Sequence, residues 1–315
     1  MQNQNENNFV LDNKVDHDVD LRELFSVLWK GKWIIMLFTI VFAAASVAYA
    51  LSKPNIYTAS VLLAPAAEES SAMNGLASQF GGLASLAGVS LGSGSTDKTG
   101  LAMAVLKSRQ FLTSFVNRHD LKIPLFAGKE WDIHTGKLIL DNTVYDTKQK
   151  KWTREVKPGR LSEPSDWEVY KLFQELVLLD TDKKTGMITL SVEFLSPMLA
   201  KQWVDWLVLD LNKEMREKDS REVDRNINYL KANLEETNLA DMRTVFYQLI
   251  EDQLKTKMLS QVREEYTFKT IDPAVIPEDK SKPKRALICV LGTLLGGVFS
   301  ILLVLVKYFM RKSEE

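Results

Sequence analysis

The sequence predicts an α+β protein in which two transmembrane helices flank an extracytoplasmic α/β base domain with a long extended helical arm. Three observations predict this fold class. Residues 33–51 and 286–306 carry no charge over 19 and 21 residues, and a helix needs roughly 20 apolar residues to cross a bilayer. The chain between them is polar and balanced in charge. Within it, residues 198–237 contain neither Gly nor Pro, which is typical of one unusually long helix.

The composition excludes several classes of protein. Two long apolar stretches exclude a wholly soluble enzyme, and the large polar segment between them excludes a multi-span channel or transporter of the usual kind. A formal net charge of -1 argues against a strongly basic nucleic-acid binder. The only cysteine, Cys289, lies in the second apolar stretch, so no intramolecular disulfide forms. His17, His119 and His134 are too scattered for a multi-histidine metal site.

The N-terminal region divides into a polar tail and a juxtamembrane helix. Residues 1–19 are rich in Asn, Gln and Asp, which indicates a disordered tail. Residues 20–32 are predicted to form an amphipathic helix that Asp20 and Glu23 open as a capping box. Its apolar stripe consists of Leu21, Leu24, Phe25, Leu28 and Trp29. The helix lies on the membrane surface, or it is a plain extension of the spanning helix. The first span starts too late for a signal peptide, which favours an uncleaved anchor.

The distribution of Lys and Arg predicts the topology. Arg22, Lys30 and Lys32 precede the first span, and only Lys53 follows it closely, which indicates a cytoplasmic N-terminus. The second span returns residues 307–315 to the same side, so residues 52–285 form one extracytoplasmic unit. This topology places the basic residues Lys280, Lys282, Lys284 and Arg285 on the outer side, against the preference of Lys and Arg for the cytoplasm. The orientation is assigned from the first span, which usually dominates.

The extracytoplasmic segment reads as strands and helices around a low-complexity loop. Strands are predicted at 56–64, 187–194 and 266–271, a hairpin at 138–146 and 152–156, and helices at 101–117 and from Ser165 to about 179. The strand that leaves the membrane and the strand that returns to it are expected to share one sheet. Residues 75–94 are rich in Gly, Ala, Ser and Leu, which predicts either a flexible insertion or an apolar contact surface.

The arm is predicted over residues 197–263. Ser196 and Pro197 are a cap and a first helical residue. An apolar seam along the first helix consists of Val223, Ile227, Leu230 and Leu234. Such a narrow seam needs a second helix or another copy of the chain, and we assign it as the oligomer seam. A second helix follows, with Asn238 as its cap and Leu239, Met242, Phe246 and Leu249 on its apolar face.

The sequence contains no recognisable motif of an active site. No phosphate loop, nucleophile elbow or Cys/His cluster occurs, so the sequence predicts a protein that is not an enzyme, with no catalytic, cofactor-binding or metal-binding residues. His119 and Asp120 are read as a helix C-terminus. The tryptophans that could stack on sugars are assigned instead to packing; they are Trp131, Trp152, Trp167, Trp203 and Trp206.

Small residues indicate where the spans pack. Gly292 and Gly296 form a Gly-x-x-x-Gly pattern in the second span, which permits close helix approach. Ala44 and Ala48 offer a small-residue face on the first span. The alternative interpretation is that the pattern occurs by chance or that these small residues contact lipid.

Three segments resemble the Wzz-type chain-length determinants, the polysaccharide co-polymerases of Gram-negative inner membranes. They are residues 20–24 (DLREL), the long arm, and the proline-rich approach to the second span with Pro273, Pro277, Pro283 and Arg285. The resemblance implies a two-pass inner-membrane protein with cytoplasmic termini, a periplasmic domain and a ring-like homo-oligomer. It further implies a non-catalytic regulator of the chain length of O-antigen or a related glycan. Its partners would be a separate polytopic polymerase and the growing lipid-linked glycan, with no nucleic acid and no cofactor.

A second class of function fits the same outline. A membrane adaptor of a capsule or exopolysaccharide export system also has two spans around an external domain, and it works with a tyrosine autokinase. This chain contains no Walker motif, so such a kinase would be a separate protein.

Overall fold

The computed structural model describes residues 27–66, 94–236 and 240–312. Several predicted features lie outside the described residues. They are the tail 1–19, most of the juxtamembrane helix 20–32, nearly all of the 75–94 loop, Asn238, Leu239 and the side chain of Met242. The chain divides into two compact units, one made of residues 1–53 with 284–315 and the other of residues 54–283.

The elements are numbered in chain order. The helices are α1 (Lys32–Ser52), α2 (Gly94–Lys107), α3 (Arg109–Arg118), α4 (Lys122–Ala127), α5 (Asp166–Leu176), α6 (Pro197–Glu236), α7 (Ala240–Val262) and α8 (Arg285–Lys312). The strands are β1 (Tyr57–Pro65), β2 (Gly128–Asp132), β3 (Lys137–Leu140), β4 (Tyr145–Asp146), β5 (Lys151–Trp152), β6 (Val177–Thr181), β7 (Ile188–Phe194) and β8 (Phe268–Asp272). This mixed composition confirms the predicted α+β class.

The first unit contains the two apolar helices, α1 and α8, which we call the spanning hairpin. Both are long and apolar enough to cross a membrane, with mean hydropathies of 2.4 and 2.6 in their most apolar windows. They pack antiparallel, because Gly31 before α1 lies against Val304 late in α8, whereas Ser46 late in α1 lies against Gly292 early in α8.

The second unit is built on an antiparallel sheet with the strand order β6-β7-β1-β8. Along β1, Tyr57, Ala59, Val61 and Leu63 are buried and alternate with more exposed residues, as expected for a strand with one covered face. The predicted pairing of the outgoing and returning strands is confirmed, since β1 pairs antiparallel with β8 and Leu63 lies opposite Thr270.

The core lies between this sheet and the helices packed on it. Its largest fully buried side chains include Trp203, Phe115, Phe173, Phe268, Leu207 and Leu211. The Trp203 ring lies 4.3 Å from the Phe194 ring and 5.7 Å from the Phe173 ring, measured between centroids. The first half of α6 is therefore a core element, and its continuation becomes the arm.

Several predicted elements need correction. The helix predicted at 101–117 is two helices, because Ser108 ends α2 and caps α3, accepting a hydrogen bond from the Phe111 amide at 3.2 Å. This break lets Leu106 and Leu112 both enter the core at 1% exposure. The hairpin around 147–150 is only two residues long on each side, since Leu138 pairs upstream with Trp131 instead.

The arm follows the prediction more closely. Helix α6 runs for 40 residues from Pro197, roughly 60 Å at 1.5 Å per residue, and the Ser196 hydroxyl accepts a hydrogen bond from the Leu199 amide. Helix α7 folds back along it, with an ion pair of 2.6 Å between Lys257 and Asp224. From here on, the arm means α7 together with the part of α6 that follows Met215, the last α6 residue in the core.

Candidate functional site

The spanning hairpin is held together by small residues. A Cβ atom added at Gly292 would overlap the Ser46 side chain, and one added at Gly296 would overlap the Phe42 side chain. Gly297, the next residue, has open space around it. The two predicted glycines therefore lie in close contact with α1, which is the use expected of such residues between membrane helices.

The hydroxyl groups in this interface are satisfied within their own helices. The Ser46 hydroxyl donates to the Ala43 carbonyl at 2.8 Å, and the Ser300 hydroxyl donates to the Gly297 carbonyl at 2.7 Å. Because an unpaired hydroxyl in hydrocarbon is costly, these bonds let serine serve as a small packing residue at no polar cost.

The predicted small-residue face of α1 differs from the observed one. Ala44 and Ala48 are exposed, whereas Ser46 and Ala50 are buried. At 100° per residue, Ala44 and Ala48 lie on the side of α1 opposite Ser46. Small size fits a residue for lipid contact as well as for helix contact, and the partner helix decides which side is covered.

The proline-rich segment 273–283, which we call the strap, is fastened to the start of β1. The Ile56 amide donates to the Lys282 carbonyl at 2.9 Å, and the Ser281 amide and hydroxyl both donate to the Ile56 carbonyl. The Lys282 ammonium lies 2.7 Å from the Glu193 carboxylate. The two points where the chain passes into this unit and out of it are therefore joined directly.

The predicted motif residues divide between this strap and the following helix. Pro273 is exposed, and Pro277 and Pro283 are half-buried. Arg285 is the first residue of α8 and belongs to the spanning unit. The buried residue in the strap is Ala274, which joins the core at 5% exposure.

The predicted oligomer seam packs inside the chain. Ile227 is 6% exposed, and Val223, Leu230 and Leu234 are half-buried on the side of α6 that α7 covers. The Lys257–Asp224 ion pair sets the antiparallel register between α6 and α7. This register places Leu230 opposite the part of α7 around Ile250. The seam is therefore occupied by the second helix of the same chain, which was the other partner that the sequence allowed.

The tryptophans lie mostly in packing contacts, as predicted. Trp203 is fully buried, Trp206 stacks on the His119 ring at 4.2 Å between centroids, and Trp152 makes an edge contact with Tyr145. Trp131 is half-buried. Trp167 is half-exposed, with the Lys171 ammonium 5.5 Å from the centre of its ring.

Two polar contacts of α6 were missed by sequence reasoning. The Asn212 side chain, 4% exposed, accepts hydrogen bonds from the Thr267 and Phe268 amides at 2.8 and 2.9 Å and donates to the Phe268 carbonyl at 3.1 Å. One amide thus occupies the outer edge of β8 as a neighbouring strand would. The signal was a lone Asn beside Leu211 on the buried face of a helix.

The second missed contact joins α3 to α6. His119 is the C-terminal cap of α3, as predicted, but its ring nitrogen Nε2 also lies 3.0 Å from the Asp210 carboxylate. The Arg118 guanidinium donates to the same carboxylate at 2.7 Å. This cluster fixes the base of the long helix to its neighbour.

The shifted carboxyl groups serve local structure. Hydrogen bonds from the Arg154 guanidinium lower the pKa of Glu168 to about 2, helped by the Ser165 amide of the predicted capping box. Hydroxyl and amide donors within their own turns lower the pKa values of Asp132, Asp141 and Asp182. Across the part of the chain that the structure describes, no group of three His, Cys, Asp or Glu residues could hold a metal ion.

Comparisons with known families identify the N-terminal part of the chain. Residues 17–119 match the family described as Wzz, chain length determinant protein. The matched segment makes up about a third of the chain. Over these residues, the match agrees with the resemblance to chain-length determinants that the sequence shows. The matched residues include α1 of the first unit and β1, α2 and α3 of the second unit.

A second family and one solved structure also match. Residues 237–309 match a G-rich domain on putative tyrosine kinases, which includes α7, β8, the strap and most of α8. A full-length bacterial polysaccharide co-polymerase aligns over 93% of this chain and 99% of its own, with 12% identity and a TM-score of 0.40; this score is too low to support a conclusion by itself. No curated protein sequence matches the chain.

Proposed function

We propose that this protein regulates polysaccharide chain length as a non-catalytic co-polymerase of the inner membrane. The observation that carries the proposal is the Wzz match over residues 17–119. The two apolar helices on either side of one folded unit agree with it.

The proposed topology places both termini in the cytoplasm and residues 54–283 in the periplasm. The antiparallel hairpin supports it, because Gly31 against Val304 brings the start of α1 and the end of α8 to one side. Lys30, Lys32 and Lys307 lie at that side, as the bias of cations toward the cytoplasm requires. A reporter fused after Glu315 tests the topology: activity in the cytoplasm agrees with it, and activity in the periplasm alone contradicts it.

The proposed mechanism is binding and geometry without bond making. The protein forms a ring-like homo-oligomer, its spans contact a polytopic polymerase that shares the membrane, and its arms face the growing lipid-linked glycan. In this mechanism the spanning hairpin must keep its shape, which Gly292 and Gly296 permit.

The match to the G-rich domain on putative tyrosine kinases favours one second candidate, an adaptor of capsule or exopolysaccharide export that acts with a separate kinase. Deletion of the gene followed by glycan electrophoresis separates the two. Deletion of a length regulator leaves the polymer present but changes its clustered lengths to random ones. Loss of the polymer contradicts chain-length regulation and supports the export adaptor.

A further inference from the structure

Positive charge gathers at the end of the spanning hairpin where α1 ends and α8 begins, which the proposed topology places outside. Lys53 follows the last residue of α1, Lys284 precedes α8, and Arg285 is the first residue of α8. We call these three residues the outer cations. The described part of the spanning unit, residues 27–53 and 284–312, contains no Asp or Glu, so it supplies no carboxylate that could balance them.

The contacts between the two helices place the outer cations at one level. Ser46 lies against Gly292, and the contact at Gly296 lies four residues earlier in α1, so four steps along α1 match four steps back along α8. Continued at this register, Lys53 reaches the level of Arg285. Each of them lies seven residues beyond the Ser46–Gly292 contact, which is nearly two full turns, and therefore on the side of its helix that faces the other helix. Two like charges thus meet at the outer end of this helix pair.

The lengths of the spans place these charges at the level of lipid headgroups. From Lys32 to Lys53 the helix rises about 31 Å at 1.5 Å per residue. From Arg285 to Lys307 it rises about 33 Å, and the hydrocarbon core of a bilayer is about 30 Å thick. The Lys53 ammonium lies 5.1 Å from the centre of the Tyr49 ring, which is 55% exposed. An exposed Tyr beside a Lys is typical of the boundary between hydrocarbon and headgroups.

We propose that the outer cations bind the phosphate of an anionic lipid in the outer leaflet. The inference rests on the topology of the proposed function, and it accounts for cations on the side of the membrane where Lys and Arg are usually scarce. Lipid phosphates are the abundant anions at this level, and guanidinium and ammonium groups are the side chains that bind phosphate. A phosphate between Lys53 and Arg285 removes the repulsion of the two like charges.

The ligand is a lipid whose phosphate charge is not balanced by a cation in the same headgroup. Two kinds of lipid share this chemistry, namely an acidic phospholipid such as phosphatidylglycerol and a polyprenyl diphosphate that carries a growing glycan. Phosphatidylcholine contains the same phosphate together with a quaternary ammonium group, so it serves as the matched neutral lipid.

Quenching by brominated lipids tests the site in the full-length protein. In a Cys289→Ser background, a fluorescent label is attached at Leu51→Cys, which replaces a residue near the outer end of α1 that is 63% exposed. The protein is reconstituted in phosphatidylcholine with a minor fraction of brominated phosphatidylglycerol or of brominated phosphatidylcholine. Because each cation near an anionic lipid surface strengthens association about fivefold, we expect brominated phosphatidylglycerol to associate with the labelled end at least about fivefold more tightly.

Two combined variants show whether the outer cations cause this preference. Lys53→Gln, Lys284→Gln and Arg285→Gln together should reduce the preference to about onefold, because they remove all three charges. Lys53→Arg, Lys284→Arg and Arg285→Lys together keep the charges and should keep the preference. Loss of the preference in this second variant would contradict binding by charge.

The other end of the hairpin supplies the matched control. Lys30→Gln, Lys32→Gln and Lys307→Gln together remove three cations there and should leave the quenching at residue 51 unchanged; an equal loss would overturn the assignment. Equal quenching by the two brominated lipids would mean that the outer end selects no anionic lipid. A preference that survives in the variant with three glutamines at the outer end would mean that the outer cations do not bind the phosphate.

Unbrominated competitors identify the lipid. If a polyprenyl diphosphate removes the quenching at a lower fraction than phosphatidylglycerol does, the site holds the lipid carrier of the glycan; otherwise it holds the phospholipid. The measurement contains no glycan polymer, so its failure is distinct from failure of the proposed function. Unchanged glycan lengths on deletion of the gene reject chain-length regulation, whereas changed lengths with no lipid preference reject only this site.

Discussion

Asn212 offers the sharpest test of how the long helix is fixed to the sheet. Its amide makes three hydrogen bonds to the backbone of residues 267 and 268, and those two residues are 8% and 2% exposed. Asn212→Ala removes all three bonds and leaves two amides and one carbonyl without this partner. Since each bond contributes about 0.5–1.5 kcal/mol and an orphaned buried group costs about 1–3 kcal/mol, we expect a loss of about 3 kcal/mol.

Hydrogen exchange of the full-length protein in detergent measures this loss locally. A change of about 3 kcal/mol corresponds to a roughly hundredfold faster exchange of peptides that contain residues 266–271, because 1.4 kcal/mol is a factor of ten. Asn228→Ala is the matched control, since Asn228 is exposed on the same helix and the change in helix propensity is the same. Equal exchange rates in the two variants would refute the role assigned to the Asn212 amide.

Three further predictions concern the hairpin, the base and the arm. Replacing Gly292 and Gly296 with Leu should separate the spans by steric overlap and broaden the glycan length distribution on gels, whereas Gly297→Leu should leave the distribution unchanged. Lowering the pH from about 5 to about 2 should remove about 2–3 kcal/mol that Glu168 contributes to folding, because its carboxyl protonates at about 4.5 in the unfolded chain and at about 2 in the folded one; thermal melts of Glu168→Gln should show a shallower pH dependence. Ile227→Ala should destabilise the arm by about 2–4 kcal/mol, which faster exchange in α7 but not in the sheet would report.

Each of these predictions has an outcome that contradicts it. The hairpin argument is wrong if the double leucine variant, at normal protein level, keeps the wild-type lengths. The same pH dependence in Glu168→Gln and in the wild type would show that the Arg154 contact does not stabilise the fold. Unchanged exchange in α7 of the Ile227→Ala variant would mean that the seam is not covered by α7.

The elements that the sequence predicted well are those whose signal is local. The apolar stretches predicted both ends of α1 and the start of α8 to within one residue. They did so because the length of a span depends on its own composition. Ser196 and Pro197 predicted the start of α6, and Ser165 predicted the start of α5, because capping residues act on the turn that follows them.

The errors occurred where a distant partner decides the outcome. Ser108 breaks a helix that its apolar spacing made continuous, because both halves gain core contacts by changing direction. Ala44 and Ala48 lie away from α8, since residue size does not say which side of a helix is covered. The seam around Ile227 could not reveal whether α7 or another copy covers it. Asn212 was missed because its three partners lie about 55 residues further along the chain.

The central claim, that this protein sets polysaccharide length without making the polymer, is tested most directly by titrating its level in a deletion strain. At each level, the number of repeat units per chain and the total amount of glycan are measured together. A length regulator moves the distribution from random to clustered as its level rises, while the total glycan stays constant. If the total glycan rises with the protein and the distribution keeps its shape, the protein acts in synthesis or export, and chain-length regulation is wrong as its function.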